Sequence, residues 1–107
     1  MTFSISKQYT DTPGPRYRRQ GDFSGEQFRE DHLENLFKHY KSSHQAIEID
    51  LDGTFGYPTS FLEEAFGGLA RIYPESEVLE AFTFKATEQP SIVEEIKGDI
   101  INARKTR

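Results

Sequence analysis

The sequence contains no cysteine among its 107 residues. The chain can therefore form no disulfide, no thiolate metal site and no thiol nucleophile, which suits a reducing cytoplasm. It has no run of about 20 apolar residues, so it predicts no membrane span. The opening segment MTFSISKQYT has neither a basic nor an apolar stretch, and it predicts no signal peptide. We expect a cytoplasmic protein.

Positive charge is also scarce, with 13 Lys and Arg against 18 Asp and Glu, which gives a net charge of −5. This balance disfavours nucleic acid and anionic membranes as main partners. Apolar residues make up 35% of the chain, enough for one small core, and nine Phe and five Tyr supply much of its burial. We expect residues 1–107 to form a single domain.

The pattern of apolar and polar residues predicts four strands and three helices. The predicted strands lie at 2–9, 16–21, 45–51 and 78–86, and the predicted helices at 25–41, at 59–73 and from residue 91 onward. Strands that alternate with helices favour an α/β fold. The order β-β-α-β-α-β-α therefore predicts a four-stranded mixed sheet that begins with an N-terminal hairpin, with three helices packed on it.

Two features mark the predicted helices. Ser24 is followed three residues later by Gln27, which is typical of a helix start. Gly67 and Gly68 lie inside the second helix, where each costs about 1 kcal/mol relative to Ala. We expect that this turn approaches the sheet or a partner closely.

The segment IDLDGT matches the nucleophile motif of haloacid dehalogenase-type phosphatases. In these Mg²⁺-dependent enzymes the first Asp attacks phosphorus and the second is the acid/base, positions held here by Asp50 and Asp52. Nearly half of the chain precedes the motif, however, and no later acidic pair follows it. Lys85, Lys97 and Lys105 have no convincing position at a strand end. We therefore expect no catalytic residue, metal or cofactor, and keep a small Mg²⁺-dependent phosphatase as the alternative.

A second resemblance covers most of the chain. Residues 14–30, GPRYRRQGDFSGEQFRE, and residues 58–71, PTSFLEEAFGGLAR, resemble a bacterial STAS-like family of unknown function that is related to anti-sigma factor antagonists. The resemblance implies a small STAS-like domain that is not an enzyme and that acts in signalling by binding a protein. It also implies a type of partner, namely a histidine-kinase-like ATPase of the anti-sigma type.

In antagonists such a kinase phosphorylates a serine at a helix start with the sequence Asp-Ser-Ser-Gly-Leu. Those positions are occupied here by Pro58, Thr59, Ser60, Phe61 and Leu62. The resemblance implies Ser60 as the phosphoacceptor, with Thr59 as second choice. A helix N-terminus accommodates a phosphate, and the added negative charge can break a complex. This chain departs from the pattern by carrying Pro for Asp, Thr for the first Ser and Phe for Gly.

We expect a partner-binding surface around this helix start, formed by Asp52, Gly53, Phe55, Tyr57, Pro58, Phe61, Glu63 and Glu64. Several alternatives stay open at this point. Ser60 and Glu63 also have the spacing of a capping box, and both glutamates could be ordinary exposed charges. The two aromatic residues of the loop are either packed on the core or offered to a partner. A homodimer or a purely structural subunit is also compatible with the sequence.

Overall fold

The computed structural model describes residues 1–104, and within them the sheet has three parallel strands in the order β1-β2-β3. The strands are β1 (Thr2–Ser4), β2 (Ile47–Asp50) and β3 (Phe82–Lys85). Phe3, Ile49 and Phe84 align across the sheet on its apolar face, and the helices pack against this face. Side chains alternate between faces along a strand, so the opposite face carries the polar row Thr2–Glu48–Thr83.

The helices occupy most of the connections between the strands. They are α1 (Ile5–Gln8); α2, made of Gly25–Phe28, a π-helical turn Arg29–Leu33 and Glu34–Ser43; α3, made of Thr59–Leu62, a π-helical turn Glu63–Gly67 and Gly68–Ile72; α4 (Glu75–Ala81); and α5 (Ser91–Ile101). Within residues 1–104 no helix combines the length and apolarity that crossing a membrane requires.

Helix α2 begins and ends as its sequence directs. The Ser24 hydroxyl accepts a hydrogen bond from the Gln27 amide at 3.0 Å, which confirms the predicted helix start. The last turn closes at His44, whose backbone adopts a left-handed conformation and donates to the Tyr40 carbonyl at 2.7 Å. Between these ends α2 buries an apolar face that includes Phe28.

The predicted N-terminal hairpin is wrong. The chain leaves the sheet at Ile5, because the Ser4 hydroxyl accepts a hydrogen bond from the Lys7 amide at 3.3 Å and starts α1. The predicted second strand, 16–21, contains instead the 3₁₀ turn Arg18–Gln20. This segment contacts α2, since Arg18 forms ion pairs with Glu30 and Asp31 of the first π-helical turn. Within the described residues the sheet is therefore three-stranded and parallel, not four-stranded and mixed.

The predicted strand at 78–86 is wrong in its first half. Residues Glu75–Ala81 form α4, and its buried residues Val78 and Ala81 stand at helical spacing. Only Phe82–Lys85 belongs to the sheet. The remaining predictions are confirmed: strand 45–51 corresponds to β2, helices 25–41 and 59–73 to α2 and α3, and the third helix to α5.

Candidate functional site

The carboxyl ends of the three parallel strands meet at one edge of the sheet, where ligands of open α/β sheets commonly bind. Ser4, Asp50 and Lys85 stand in register there, one on each strand. Asp50 Oδ1 accepts a hydrogen bond from the Asp52 amide at 3.0 Å, and its Oδ2 lies 3.9 Å from Lys85 Nζ. The expectation that Lys85 has no strand-end position is therefore wrong.

The two aspartates of IDLDGT have different partners. The Asp52 carboxylate accepts hydrogen bonds from the Thr87 hydroxyl at 2.5 Å and from the Glu88 amide at 3.0 Å. These bonds, chiefly that from Thr87, hold the pKa of Asp52 below its ordinary value. Within residues 1–104 no group of three or more His, Cys, Asp and Glu side chains could hold a metal ion. Two other lysines were considered for the lysine that a phosphatase requires. Lys97 is exposed on α5, and Lys105 lies outside the described residues.

The loop between β2 and α3, residues 51–58, is tied to two other segments. The Gly53 amide donates to Glu88 Oε1 at 2.8 Å, and the Phe55 amide donates to the Asp11 carbonyl at 2.9 Å. Gly53 has a φ of +91°, a conformation that favours glycine. The loop backbone is therefore fixed although it lies at the surface.

The two aromatic residues of this loop, residues 51–58, have opposite environments. Tyr57 is half-buried and donates its hydroxyl to the Leu51 carbonyl at 2.8 Å, and burial raises its pKa to about 12. Phe55 is 87% exposed. The sequence left both positions undecided, and the structure places Tyr57 against the core and Phe55 in solvent.

A pocket of about 120 Å³ opens beneath this loop. We call it the loop pocket; it is lined by Leu51, Asp52, Thr54, Phe55, Gly56, Tyr57, Ala86, Glu88, Gln89 and Ile92. It lies beside the strand ends and combines an apolar floor with two carboxylates.

Helix α3 starts without a side-chain cap from the described residues, since its N-cap residue is Pro58. Thr59 is exposed and Ser60 is half-buried. The capping box expected between Ser60 and Glu63 is wrong, because the Glu63 carboxylate binds arginine side chains instead.

Two residues of the predicted partner-binding surface lie in the interior. Phe61 is fully buried and stacks on Phe28 with ring centroids 5.8 Å apart, and Glu64 is only 4% exposed. Neither can belong to a surface, because α3 turns both towards α2. The other six residues lie at or near the surface of the corner, by which we mean the loop at 51–58 and the start of α3. They are Asp52, Gly53, Phe55, Tyr57, Pro58 and Glu63.

A cluster of paired charges between α2 and α3 was missed by sequence reasoning. We call it the Arg–Glu cluster; its members are Arg16, Arg29, Arg71, Glu34, Glu63 and Glu64. Arg29 binds the Glu64 carboxylate, donates to the Glu64 carbonyl at 3.2 Å and donates to Glu34 at 3.3 Å. The side chain of Glu64 is thus not the exposed charge that its sequence suggested.

The second half of the Arg–Glu cluster surrounds Glu63, which binds Arg16 and, at 2.7 Å, Arg71. Burial opposes ionisation of Glu63, but the hydrogen bonds from Arg71 and Arg16 outweigh it and hold the pKa of Glu63 below its ordinary value. Glu64 Oε1 accepts no hydrogen bond from residues 1–104, yet lies 3.6 Å from Arg16 and 3.8 Å from Arg71. The Arg–Glu cluster thus contains three arginines and three glutamates, whose charges balance.

The two glycines of α3 allow this packing. A Cβ on Gly68 would lie 2.5 Å from an Arg29 nitrogen, and one on Gly67 would lie 3.3 Å from the Asp99 carbonyl. This turn therefore approaches α2 and α5 closely, and the predicted close approach to the sheet is wrong.

Asp99 of α5 stands beside the Arg–Glu cluster as an additional acid. Its Oδ2 is buried and accepts no hydrogen bond from residues 1–104. Burial, followed by the negative charges of Glu95 and Glu63, raises the pKa of Asp99 to about 6, although Arg16 and Arg71 oppose the shift. The charges of the cluster balance without Asp99, so an ionised Asp99 is not compensated.

Replacing Asp99 with Asn is expected to stabilise the protein at neutral pH. The folded-state pKa is raised, so ionisation costs stability as the pH rises from about 4 to 6, and the full cost is present above 6. Asn removes this cost, a gain of about 1–2 kcal/mol at pH 7.5 for a half-buried carboxyl, and a smaller gain near pH 4. Urea unfolding at both pH values measures it. Asp22→Asn, at an exposed position, is the control; an equal gain in both variants, or at both pH values, contradicts the assignment.

Comparison with known proteins gives one match. A family model described as a STAS-like domain of unknown function (DUF4325) matches residues 24–91, more than half of the chain. No curated protein and no solved structure matches. The matched segment runs from the start of α2 to the start of α5 and includes the loop, α3 and most of the Arg–Glu cluster.

Proposed function

The chain belongs to the STAS-like domain family of unknown function, and from this premise we propose that it is a non-enzymatic regulatory domain that binds another protein. The binding surface is the corner at the end of the sheet, formed by the loop and the start of α3. The observation that carries this proposal is the position of Phe55, which is 87% exposed.

An exposed aromatic side chain on a fixed loop suits binding. Aromatic side chains are frequent anchors of protein interfaces, where they bury a large apolar area at little conformational cost. The backbone of Phe55 is already held by its hydrogen bond to Asp11, and Gly53 is held by Glu88. The loop therefore has little entropy to lose when a partner covers it.

The resemblance to anti-sigma factor antagonists supplies the proposed partner. It is a histidine-kinase-like ATPase of the anti-sigma type in the bacterial cytoplasm, and ATP belongs to that partner. A homodimer remains a second prediction for the same surface.

Replacing Phe55 with Ala is expected to weaken partner binding by at least about tenfold, the loss typical of a central aromatic anchor. Affinity enrichment from the native host with quantitative mass spectrometry should identify a protein that is recovered with the unmodified domain and lost with the variant. Calorimetry with the two purified proteins then gives the change in Kd.

Ile72→Ala is the matched control, because Ile72 is also an exposed apolar residue, 51% exposed, but lies at the far end of α3. It should bind like the unmodified domain. Equal binding by the Phe55 and Ile72 variants would show that the corner is not the interface, and recovery of no specific protein would oppose the function as a whole.

Phosphorylation at the start of α3 is the proposed means of regulation, with Ser60 as the acceptor and Thr59 as second choice. Their backbone amides precede the first hydrogen bond of the helix, so they are free to bind a phosphate. Both residues adjoin the loop that carries Phe55. A phosphate there adds up to two negative charges to the surface that the partner covers.

Protein isolated from the native host is therefore expected to include a form heavier by one phosphoryl group, which intact mass spectrometry detects. Ser60→Ala should abolish that form, while Ser91→Ala, at the start of α5, should leave it unchanged. A phosphoryl group that persists in Ser60→Ala but disappears in Thr59→Ala transfers the assignment to Thr59. Absence of the heavier form under all growth conditions argues against the switch.

A further inference from the structure

We propose that the loop pocket binds the side chain of an arginine or lysine that the protein partner presents. This inference rests on the proposed function, because it specifies the chemistry of the partner at the same corner. It is drawn from three features of the pocket, namely its floor, its rim and the exposed aromatic residue that lines it.

The floor of the loop pocket is apolar and of the right size for a side-chain stem. Leu51, Ala86 and Ile92 contribute aliphatic groups, and Tyr57 contributes its ring. The volume of about 120 Å³ is sufficient for one extended side chain. Lysine and arginine bury their methylene stems along such surfaces while the charged group stays at the rim.

The rim carries the carboxylates of Asp52 and Glu88, and the positive charge of Lys85 acts on Asp52 without forming an ion pair with it. Asp52 and Glu88 accept hydrogen bonds from neutral groups, but neither forms an ion pair within residues 1–104. Lys85, on the adjacent strand end, pairs with Asp50 instead. Each carboxylate oxygen can accept more than one hydrogen bond, so both residues retain capacity for a guanidinium or an ammonium group.

Phe55, whose side chain is 87% exposed, is one of the residues that line the loop pocket, so its ring is accessible to a group that enters there. A cation held over an aromatic face gains about 0.5–1 kcal/mol at an exposed site, and a guanidinium also stacks on the ring. An anionic group would be repelled by Asp52 and Glu88. An apolar group would fill the floor but leave both carboxylates without a cation. Charge complementarity therefore selects a basic side chain.

The test uses two cationic probes and one neutral probe, of which the arginine and citrulline compounds have nearly the same shape. N-acetyl-arginine methylamide, the corresponding lysine compound and the neutral citrulline compound are each titrated into ¹⁵N-labelled protein. The arginine or lysine compound should shift the backbone amides of Gly53, Phe55 and Gly56 with saturable binding, and citrulline should not. Equal shifts with citrulline, or no shifts with either cation, would overturn the inference.

Two variants separate the rim from the floor. Glu88→Gln keeps an oxygen for the Gly53 amide but removes the charge, and should weaken cation binding about two- to fivefold, as expected for a solvent-exposed charge pair. Ala86→Leu fills the floor while both carboxylates remain, and should abolish binding in a domain whose spectrum stays dispersed. Glu75→Gln, an exposed acid on α4, is the charge control. Unchanged binding in Glu88→Gln would overturn the assignment.

The same variants distinguish this inference from the proposed function. If partner binding depends on Phe55 but is unchanged in Glu88→Gln and Ala86→Leu, the pocket assignment alone is wrong. If the cationic probes bind as expected but no partner binding depends on Phe55, the proposed function is wrong and the pocket assignment stands.

Discussion

Replacing Arg29 with Met is expected to lower the free energy of unfolding by about 3–5 kcal/mol, the usual loss when one member of a buried ion pair is removed. The Arg29 side chain is 12% exposed and joins α2 to α3 through Glu64. Met fills much of the space of the aliphatic part of the Arg29 side chain. The loss of stability therefore measures the cost of leaving the buried Glu64 carboxylate without Arg29. Urea unfolding followed by circular dichroism gives the value directly.

Arg18→Met provides the matched control. Arg18 also forms two ion pairs with acids of α2, but its side chain is 44% exposed, so its removal should lower the free energy of unfolding far less than that of Arg29. The double variant Arg29→Met with Glu64→Leu should recover at least half of the loss, because it leaves no buried charge between these two positions. A loss below about 1 kcal/mol for Arg29→Met alone would mean that Glu64 is compensated by Arg16 and Arg71.

Replacing Gly25 with Ala is expected to destabilise the domain by about 3 kcal/mol, the upper end of the usual range for overpacking. A Cβ at this position would overlap the Phe61 carbonyl oxygen and lie 3.1 Å from the carbonyl carbon. These are backbone atoms, so relief requires that α2 and α3 move apart. That movement would also separate the pairs of the Arg–Glu cluster.

Replacing Gly98 with Ala is expected to have the opposite effect and to stabilise the protein. Gly98 lies inside α5, and a Cβ there meets no heavy atom of the described residues within 4 Å. Ala should therefore stabilise the helix by about 0.5–1 kcal/mol, since glycine loses more backbone entropy on folding. Thermal unfolding of both variants distinguishes the cases, and a Gly25→Ala protein as stable as the parent would contradict the contact between the two helices.

The elements that sequence reasoning identified correctly have strong local signals. Helix α2 carries its own cap at Ser24, and β2 alternates buried isoleucines with acidic residues over Ile47–Asp50. The predicted first strand is correct over Thr2–Ser4 and wrong beyond it, because Phe3 and Ile5 alternate with serines for only a few residues, a pattern that a strand ending in a helical turn also produces. The strand predicted around Val78 is wrong because a short helix is followed directly by a strand there, with no glycine or proline to mark the boundary.

The candidate site was predictable only in part for a related reason. That the loop at 51–58 lies at the carboxyl end of β2 follows from chain order, whereas the exposure of Phe55 could not be decided from the sequence. The burial of Glu64 does not follow from its neighbours in the sequence. It depends on Arg29 and Arg16, which are 35 and 48 positions away, and pairings over such distances leave no local periodicity.

The two π-helical turns have a consequence for comparing this chain with its relatives. A π-helical turn contains one residue more than an α-helical turn, so Arg29–Leu33 and Glu63–Gly67 can each be regarded as a single-residue insertion in a regular helix. Deleting one residue there would restore a regular α-helix and keep the downstream apolar face directed at the core, whereas a deletion elsewhere in the helix would rotate the residues beyond it by about 100°. Alignments of the family can therefore place a one-residue gap within either turn without a changed apolar pattern downstream, and a relative with such a gap should have a regular α-helix at that position.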